Sequence, residues 1–260
     1  MSLPRRELIL GSHRANQLAL IVELAERVLQ TWQPAWTPFL DAPLLEEALQ
    51  RFSSLAELSW HAEGGYTSAE RRRLLCCRRD DVEVRTIAPI KGLRIEGNFL
   101  FDPITPNDLR TALTEMGTEH GDIGDLWIRG DRGGQGLLTA EAITKLQGRQ
   151  GSVREVQVFC EVVELQHLQF PAQRAPRYLT TVEASRRLDA IASAGFKVSR
   201  SKIVHLIREG CLRLNWEPVG QASHELKVGD RMQLRERGML KVIAVEHTKR
   251  NRWRIELLRS

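Results

Sequence analysis

The sequence predicts an α+β protein: a helical N-terminal region, a mixed middle domain, and a C-terminal domain of two helices on a small antiparallel sheet. Three observations lead to this prediction. Apolar residues recur at helical spacing near the N-terminus, strand-like and helical segments interleave through the middle, and two helical segments precede a series of alternating segments at the C-terminus. Interleaved strands and helices are typical of a two-layer α+β domain.

The N-terminal region, residues 1–55, is predicted to be helical. Residues 6–32 carry apolar side chains every three or four positions, and the charged residues between them fall on the other side. Pro34 and Pro38 end this helix, because each proline removes a backbone donor and restricts the residue before it. A second helix is predicted over residues 43–52.

The middle domain, residues 56–168, is predicted to be a split βαβ sandwich. A helix begins with the start signal Thr105-Pro106 and runs to Met116, and a second helix covers residues 140–146. Gly64-Gly65 predicts a turn. Alternating or β-branched segments predict strands at 57–61, 71–77, 82–87, 93–98, 123–129 and 153–163.

A short segment with prolines and arginines, residues 169–178, is predicted to be a linker. The C-terminal domain, residues 179–260, then begins with two predicted helices, at 181–194 and 199–209. Its predicted strands cover residues 211–215, 231–236, 241–246 and 252–258.

The positive charge of the chain is concentrated in this last domain. Residues 175–260 hold 18 Lys+Arg against 9 Asp+Glu, a net charge of +9, whereas residues 1–174 hold 20 against 24, a net charge of −4. Ser199 is a suitable N-cap for the second helix, and the backbone amides at that helix start, together with Arg200 and Lys202, suit a phosphate. On charge alone, a solvated basic face remains the alternative.

An ordered motif in the same domain resembles the RNA-binding domain named after ribosomal small-subunit protein four, the S4 domain. The motif consists of Arg187-Leu188-Asp189, Ser199-Arg200-Ser201, Ile207-x-x-Gly210, Leu214-Asn215 and Leu226-x-x-Gly229-Asp230. The resemblance implies two antiparallel helices on a small sheet that dock on structured RNA through phosphates and shape. The implied RNA contacts are Arg187, Lys197, Ser199, Arg200, Ser201, Lys202, His205, Arg208 and Arg213.

Other residues of the motif have predicted structural roles. Asp189 is expected to orient Arg187 or to cap locally, and Gly210 and Gly229 are expected to permit turns. Trp216 and Trp253, with His205, are candidates for stacking on an unpaired base, and packing in the core is the alternative for each tryptophan.

Upstream motifs extend the resemblance to nearly the whole chain. Phe39-Leu40-Asp41-x-Pro43, Gly64-Gly65-Tyr66, Ala69-Glu70-Arg71 and Ile123-Gly124-Asp125-Leu126 are similar to those of the YlmH family, in particular its cyanobacterial and plastid branch of photosystem-two S4 domain proteins. The family implies an RNA-recognition-like middle domain and no catalytic residues. The chain departs from the family at Thr105-Pro106-Asn107-Asp108, where a His-Arg-Asp start is usual, so RNA contact by the middle helix is not expected. Tyr66, Arg71 and Arg72 are predicted to form a secondary RNA contact, with a turn and a solvated edge strand as the alternative.

The resulting functional hypothesis is a non-enzymatic RNA-binding protein. It binds structured ribosomal and/or transfer RNA on the large ribosomal subunit and acts in rescue or quality control of stalled translation. The alternative is a photosystem-linked assembly or expression factor, in which the S4 domain binds messenger RNA or plays a secondary role. The chain is expected to be a monomer. It is not expected to insert into a membrane, because no apolar run approaches the length of a membrane helix. A cytoplasmic location is predicted, or the plastid stroma for an organellar homologue, and no clear transit peptide is present.

No catalytic, cofactor or metal site is predicted. The cysteines and histidines lack zinc-ligand spacing, and the four cysteines are expected to be buried, reduced thiols. Residues 130–136 lack the spacing of a cofactor-binding glycine loop and are read as a flexible hairpin. The motif Arg187-Leu188-Asp189 superficially resembles the catalytic aspartate motif of pseudouridine synthases, but it already has a role in the S4 pattern.

Overall fold

The structure is a computed structural model that describes residues 3–80, 87–172, 175–234 and 237–259. The chain divides into two compact units, Met1–Pro171 and Ala172–Ser260. Both combine helices with antiparallel sheets, so the predicted α+β class is confirmed. Most of the predicted strand at 82–87, the centre of the predicted linker and the end of the predicted strand at 231–236 lie outside the described residues.

Unit 1 begins with three helices, α1 (Arg5–Ile9), α2 (Ala15–Thr31) and α3 (Ala42–Phe52). The prediction of one continuous helix over residues 6–32 is wrong, because α1 ends at Ile9 and Gly11 has a φ of +73°, which is not helical. The predicted α3 is confirmed. The Asp41 carboxylate caps it by accepting a 3.0 Å hydrogen bond from the Leu44 amide.

A three-stranded antiparallel sheet joins this helical region. Its strands are β1 (Ala35–Trp36), β2 (Leu58–Glu63) and β3 (Arg73–Arg78), in the order β1-β3-β2. Leu74 of β3 packs in the same core cluster as Leu18 and Phe52 of the helices. Residues 58–78 therefore pack with the N-terminal helices, whereas the predicted domain boundary between residues 55 and 56 separates them.

The second sheet of unit 1 has the predicted split βαβ connectivity. Its elements are, in chain order, β4 (Ile90–Glu96), α4 (Pro106–Glu115), β5 (Ile123–Ile128), β6 (Gly133–Thr139), α5 (Ala140–Ile143), β7 (Gln150–Val153) and β8 (Val156–Val163). The five strands are antiparallel in the order β5-β6-β4-β8-β7. Thr105 and Asp108 form a reciprocal capping box at the start of α4, as the start signal predicts.

Two predictions in this sheet are confirmed only in part. The predicted strand at 153–163 is confirmed over residues 156–163 but is wrong at its start, because Arg154 adopts a φ of +52° and turns the chain between β7 and β8. The predicted hairpin at 130–136 does connect β5 and β6, but only its beginning is a turn, since Gly133 to Gly136 form buried strand. A Cβ at Gly133 would lie 2.1 Å from the Ile95 carbonyl oxygen, so this close approach of two strands requires glycine.

Unit 2 contains β9 (Arg177–Glu183), α6 (Leu188–Phe196), α7 (Arg200–Arg208), β10 (Leu212–Leu214), β11 (Glu217–Pro218), β12 (Arg231–Leu234), β13 (Gly238–His247) and β14 (Trp253–Arg259). The six strands form one antiparallel sheet in the order β11-β10-β12-β13-β14-β9. The prediction of a helix from residue 181 is wrong at its start, because Thr181 to Glu183 belong to β9 and pair with β14. Both helices pack on one face of the sheet through buried residues that include Ile191 and Ile203.

Candidate nucleic-acid interface

The N-terminal ends of α6 and α7 meet at one buried carboxylate. Asp189 accepts two hydrogen bonds from Arg187, at 3.1 Å from Nε and 3.0 Å from Nη2. It accepts two more from Arg200, at 3.0 Å from Nε and 3.1 Å from Nη2. The Asp189 side chain is 4% exposed, whereas those of Arg187 and Arg200 are 40% and 54% exposed. One carboxylate therefore fixes two guanidinium groups that remain open to solvent.

Asp189 stays ionised in this setting. Burial by itself would raise the pKa of Asp189, but the hydrogen bonds from Arg187 and Arg200 and their positive charges outweigh it and hold the pKa below its ordinary value. The hydrogen bond to Asp189 in turn raises the pKa of Arg187. The cluster of three carries a net charge of +1, and each arginine keeps its Nη1 without an acceptor in the part of the chain that the structure describes.

The start of α7 adds backbone donors beside Arg200. The Ser199 hydroxyl accepts a 3.4 Å bond from the Lys202 amide, so Ser199 caps the helix as predicted. The amides of Arg200 and Ser201, in the first turn, have no acceptor within the described ranges. Amides and helix dipole together favour an anion at this end, and Arg200 and Lys202 supply charge there.

An exposed polar stripe continues along α7. Ile203 and Ile207 are buried under the helix, and the opposite side exposes Ser201, Lys202, His205 and Arg208. His205 Nε2 lies 3.2 Å from Glu209 Oε1, one turn further along. Lys197 ends α6 in the left-handed conformation and is also exposed. Eight of the nine predicted RNA contacts thus lie on or next to these two helices, in what we call the helix surface.

Arg213 does not lie with them. It sits on β10 between Leu212, which is buried, and Leu214, which packs partly against the core, so alternation turns its side chain to the sheet face away from the helices. It pairs across the sheet with Gln233 of β12. Sequence order alone could not reveal this separation, because it depends on which strand face meets the helices.

The remaining motif residues of unit 2 have structural roles. Asn215, at a φ of +48°, donates to Asp230 at 2.9 Å and accepts from the Arg231 amide at 2.9 Å. Gly210 and Gly229 have φ values of +70° and +95°, consistent with their predicted turns. These contacts lock the turn after β10 to the turn before β12.

Arg186 makes a neighbouring contact that the sequence does not predict. It pairs with Glu225 at 2.6 Å, and its guanidinium carbon lies 4.9 Å from the ring centre of Trp253. Trp253 also meets His247 edge to face and packs partly against the core. These contacts favour the packing alternative for Trp253 over base stacking. Trp216 is half-buried at a φ of +75°.

The predicted secondary contact in unit 1 is occupied by protein partners. The Tyr66 hydroxyl donates to Asp125 at 2.8 Å, and the same carboxylate accepts from the amides of Glu70 and Arg71 at 2.7 and 2.9 Å. Burial, followed by the charge of Asp125, raises the pKa of Tyr66. The Arg71 guanidinium donates to the carbonyls of Ile123 and Phe39, and that of Arg72 donates to those of Ala69 and Thr67. The structure therefore assigns these residues to a joint between the two sheets of unit 1.

No group of three or more His, Cys, Asp or Glu suited to a metal occurs among the residues that the structure describes. No described helix is long and apolar enough to cross a membrane. Cys76, Cys77 and Cys160 are buried, whereas Cys211 is only partly buried, which corrects the expectation that all four are buried.

The fold and the helix surface of unit 2 define an S4 domain, and residues 186–232 match the family model of that name. Residues 13–81 match the family model described as YlmH, N-terminal. The predicted resemblance to YlmH-type proteins with a C-terminal S4 domain is therefore confirmed, and the photosystem-two branch stays a prediction.

Two individual proteins are similar to the chain. The ribosome-associated protein quality control protein P2 of Bacillus subtilis (strain 168) is 24% identical over 251 residues, which cover 95% of this chain and 96% of that protein. A solved structure, the cell division protein ylmH from Streptococcus pneumoniae, is 18% identical with a TM-score of 0.46, over 60% of this chain and 94% of that one.

Proposed function

We propose that this protein is a non-enzymatic RNA-binding protein that works on the ribosome. The observation that carries the proposal is the helix surface, where two arginines are held by Asp189 beside the open amide end of α7. Guanidinium groups and helix amides both suit phosphate oxygens, and side chains fixed in advance lose less conformational entropy on binding. The S4 family match and the name of the Bacillus subtilis relative support an RNA target on the ribosome.

The finer proposal concerns the target. Structured ribosomal RNA and/or transfer RNA on the large subunit is the substrate of the helix surface, and the activity is rescue or quality control of stalled translation. Contacts to phosphate and shape suit folded RNA, because the deep major groove of A-form RNA hides the base edges from side chains. Unit 2 carries the charge for this task, since residues 175–260 have a net charge of +9.

The test is ultraviolet crosslinking of the tagged full-length protein in its own cells, followed by sequencing of the attached RNA. We expect enrichment of large-subunit ribosomal RNA and transfer RNA, and loss of that enrichment in an Arg200→Ala/Lys202→Ala protein. A matched control, Arg129→Ala/Arg132→Ala, removes the same charge from exposed positions in unit 1 and should keep the crosslinks. Enrichment of messenger RNAs for photosynthetic subunits, or equal crosslinking in the helix-surface variant, would contradict the proposal.

A further inference from the structure

The sheet of unit 2 has a second face, which points away from α6 and α7. Along its central strands every second residue is buried against the helices, for example Met232 on β12, Leu240 on β13 and Leu257 on β14. The residues between them must point the other way. We call this side the outer sheet face.

Four residues on this face form one row across four strands. Arg231 pairs with Lys241, Lys241 pairs with Leu258, and Leu258 pairs with Tyr178. Residues that pair across antiparallel strands project on the same side of the sheet. Because neighbouring strands lie about 4.8 Å apart, the row is about 14 Å long.

The row has a cationic end and an aromatic end. Arg213 and Gln233 lie in the next row beside Arg231, so the cations collect over β10, β12 and β13. Tyr178, on the edge strand β9, is 75% exposed, which is unusual for a large ring. Among the described residues, Glu256 also lies on this face, with Arg254 beside it at 3.9 Å, and Glu209 lines a pocket together with Arg213 and Gln233.

We propose that the outer sheet face binds a single-stranded RNA segment, with phosphates at Lys241 and Arg213 and a base stacked on Tyr178. Every base offers a ring face to an aromatic side chain, and a basic groove follows the backbone regardless of sequence. Paired RNA cannot use Tyr178 in this way, because its bases are already stacked. The proposal rests on the proposed function only in that the protein binds RNA, and it adds a second site on the side of the domain opposite to the helix surface.

The experiment measures the affinity of the full-length protein for two labelled RNA probes by fluorescence anisotropy. The probes are a short oligouridylate and a blunt-ended RNA duplex. We expect Tyr178→Ala/Lys241→Gln to weaken oligouridylate binding about tenfold or more, since a stacked base alone contributes about that much, and to leave duplex binding within about twofold. Arg200→Gln/Lys202→Gln should show the opposite pattern.

Two controls distinguish loss of a binding site from a general effect of substitution on this face or on folding. Thr180→Ala/Glu256→Gln changes the same face outside the row and should not weaken either probe. Photocrosslinking of the unmodified protein to a bromouridine oligonucleotide, followed by mass spectrometry, should label the peptide that carries Tyr178 and does not depend on any variant folding.

Each remaining outcome counts against a specific statement. If the unmodified protein binds the duplex but not the oligouridylate, or if Tyr178→Ala/Lys241→Gln binds both probes normally, the outer sheet face is not an RNA site. Equal loss of both probes in this variant would mean that one surface serves both and would overturn the second site. A protein that binds neither probe would contradict the proposed function itself. Crosslinks confined to α7 would also overturn the inference.

Discussion

Replacing Asp189 with asparagine tests whether the arginines of the helix surface act because they are held in place. Asp189 accepts four bonds of 3.0–3.1 Å from Arg187 and Arg200 and a fifth, of 2.9 Å, from the Ala190 amide. Asparagine keeps the size of the side chain but offers one acceptor oxygen and turns two donors toward the guanidinium groups. The variant therefore loses at least two of the four arginine bonds, together with the negative charge.

The expected magnitude follows from the exposure of the partners. Hydrogen bonds to charged groups contribute about 1.5–3 kcal/mol each when shielded from water. Because Arg187 and Arg200 are 40% and 54% exposed, we reduce this to about 0.5–1 kcal/mol per bond. Asp189→Asn should thus lower the free energy of unfolding of unit 2 by about 1–2 kcal/mol. Binding then has to order two free arginine side chains at about 0.5–1 kcal/mol each, which weakens the RNA affinity about tenfold.

The affinity measurement distinguishes two explanations of opposite sign. If Asp189 merely offsets positive charge, its removal raises the local charge and tightens RNA binding. If it positions the arginines, binding weakens although the charge has risen. Titration of the blunt-ended duplex at fixed salt measures the effect, and a urea transition checks that the variant is folded. Glu209→Gln is the matched control, because it makes the same charge change at the end of α7 without touching the arginine cluster. Equal or tighter binding by folded Asp189→Asn would refute the positioning role.

Three further predictions concern the same units. In Arg200→Ala/Lys202→Ala, the slope of log affinity against log salt should become shallower by about 0.7–0.9 for each RNA phosphate that the variant no longer neutralises, and an unchanged slope would mean that these side chains do not bind phosphate. Since the pKa of Asp189 is lowered in the folded protein, its contribution to stability is complete above the unfolded value of about 3.9 and is lost as the pH falls through the folded value; acid titrations followed by circular dichroism should show this loss in the native protein and not in Asp189→Asn. In unit 1, Tyr66→Phe should lower the free energy of unfolding by about 1 kcal/mol, because the hydrogen bond to Asp125 is removed. Gly65→Ala should lower it at least as much, because Gly65 has a φ of +85°. Equal urea midpoints for Tyr66→Phe and the native protein would show that the hydroxyl contact does not stabilise the joint.

The elements that sequence predicts well are those whose signals are local. The start of α3 follows from the carboxylate of Asp41 two residues before Pro43, and that of α4 from Thr105 and Asp108, because the capping partners lie within one turn. The wrong predictions concern distant partners or unusual backbone. Thr181 to Glu183 is strand only because β14, which lies 70 to 74 residues later, pairs with it. The hairpin at Arg154 needs a positive φ, which is uncommon for a residue other than glycine and was therefore not predicted from the sequence.

The candidate interface was predictable to a similar extent. The motif correctly indicates that Asp189 holds Arg187, which is two residues away, but the bonds to Arg200 depend on how α6 packs against α7. Arg213 belongs to the same motif and nevertheless lies on the other face of the sheet, because strand alternation separates it from the helices. Lys241 and Tyr178 belong to no sequence motif, and only the strand register, which the sequence does not show, places them in one row.

The two central strands of the middle sheet lack the aromatic residues on which an RNA-recognition fold stacks bases. An RNA-recognition fold stacks bases on aromatic side chains of its central strands. The corresponding positions on β4 and β6, on the face without helices, hold Gly92, Arg94, Gln135 and Leu137 and no aromatic residue. Part of that face is covered by its own chain: Leu168 and Trp127 pack in one cluster with Leu137, and the Gln169 backbone amide donates to Gln135 at 2.9 Å, whereas Phe159 of β8 on the same face is 42% exposed. A base would have to displace this buried cluster, at a cost of several kilocalories per mole for side chains of this size, before it could stack beside Leu137. The split βαβ unit is joined to the segment between β2 and β3 through the hydrogen bond from Tyr66 to Asp125, and residues 1–174 carry a net charge of −4, so this part of the chain has no excess of cations for RNA phosphates.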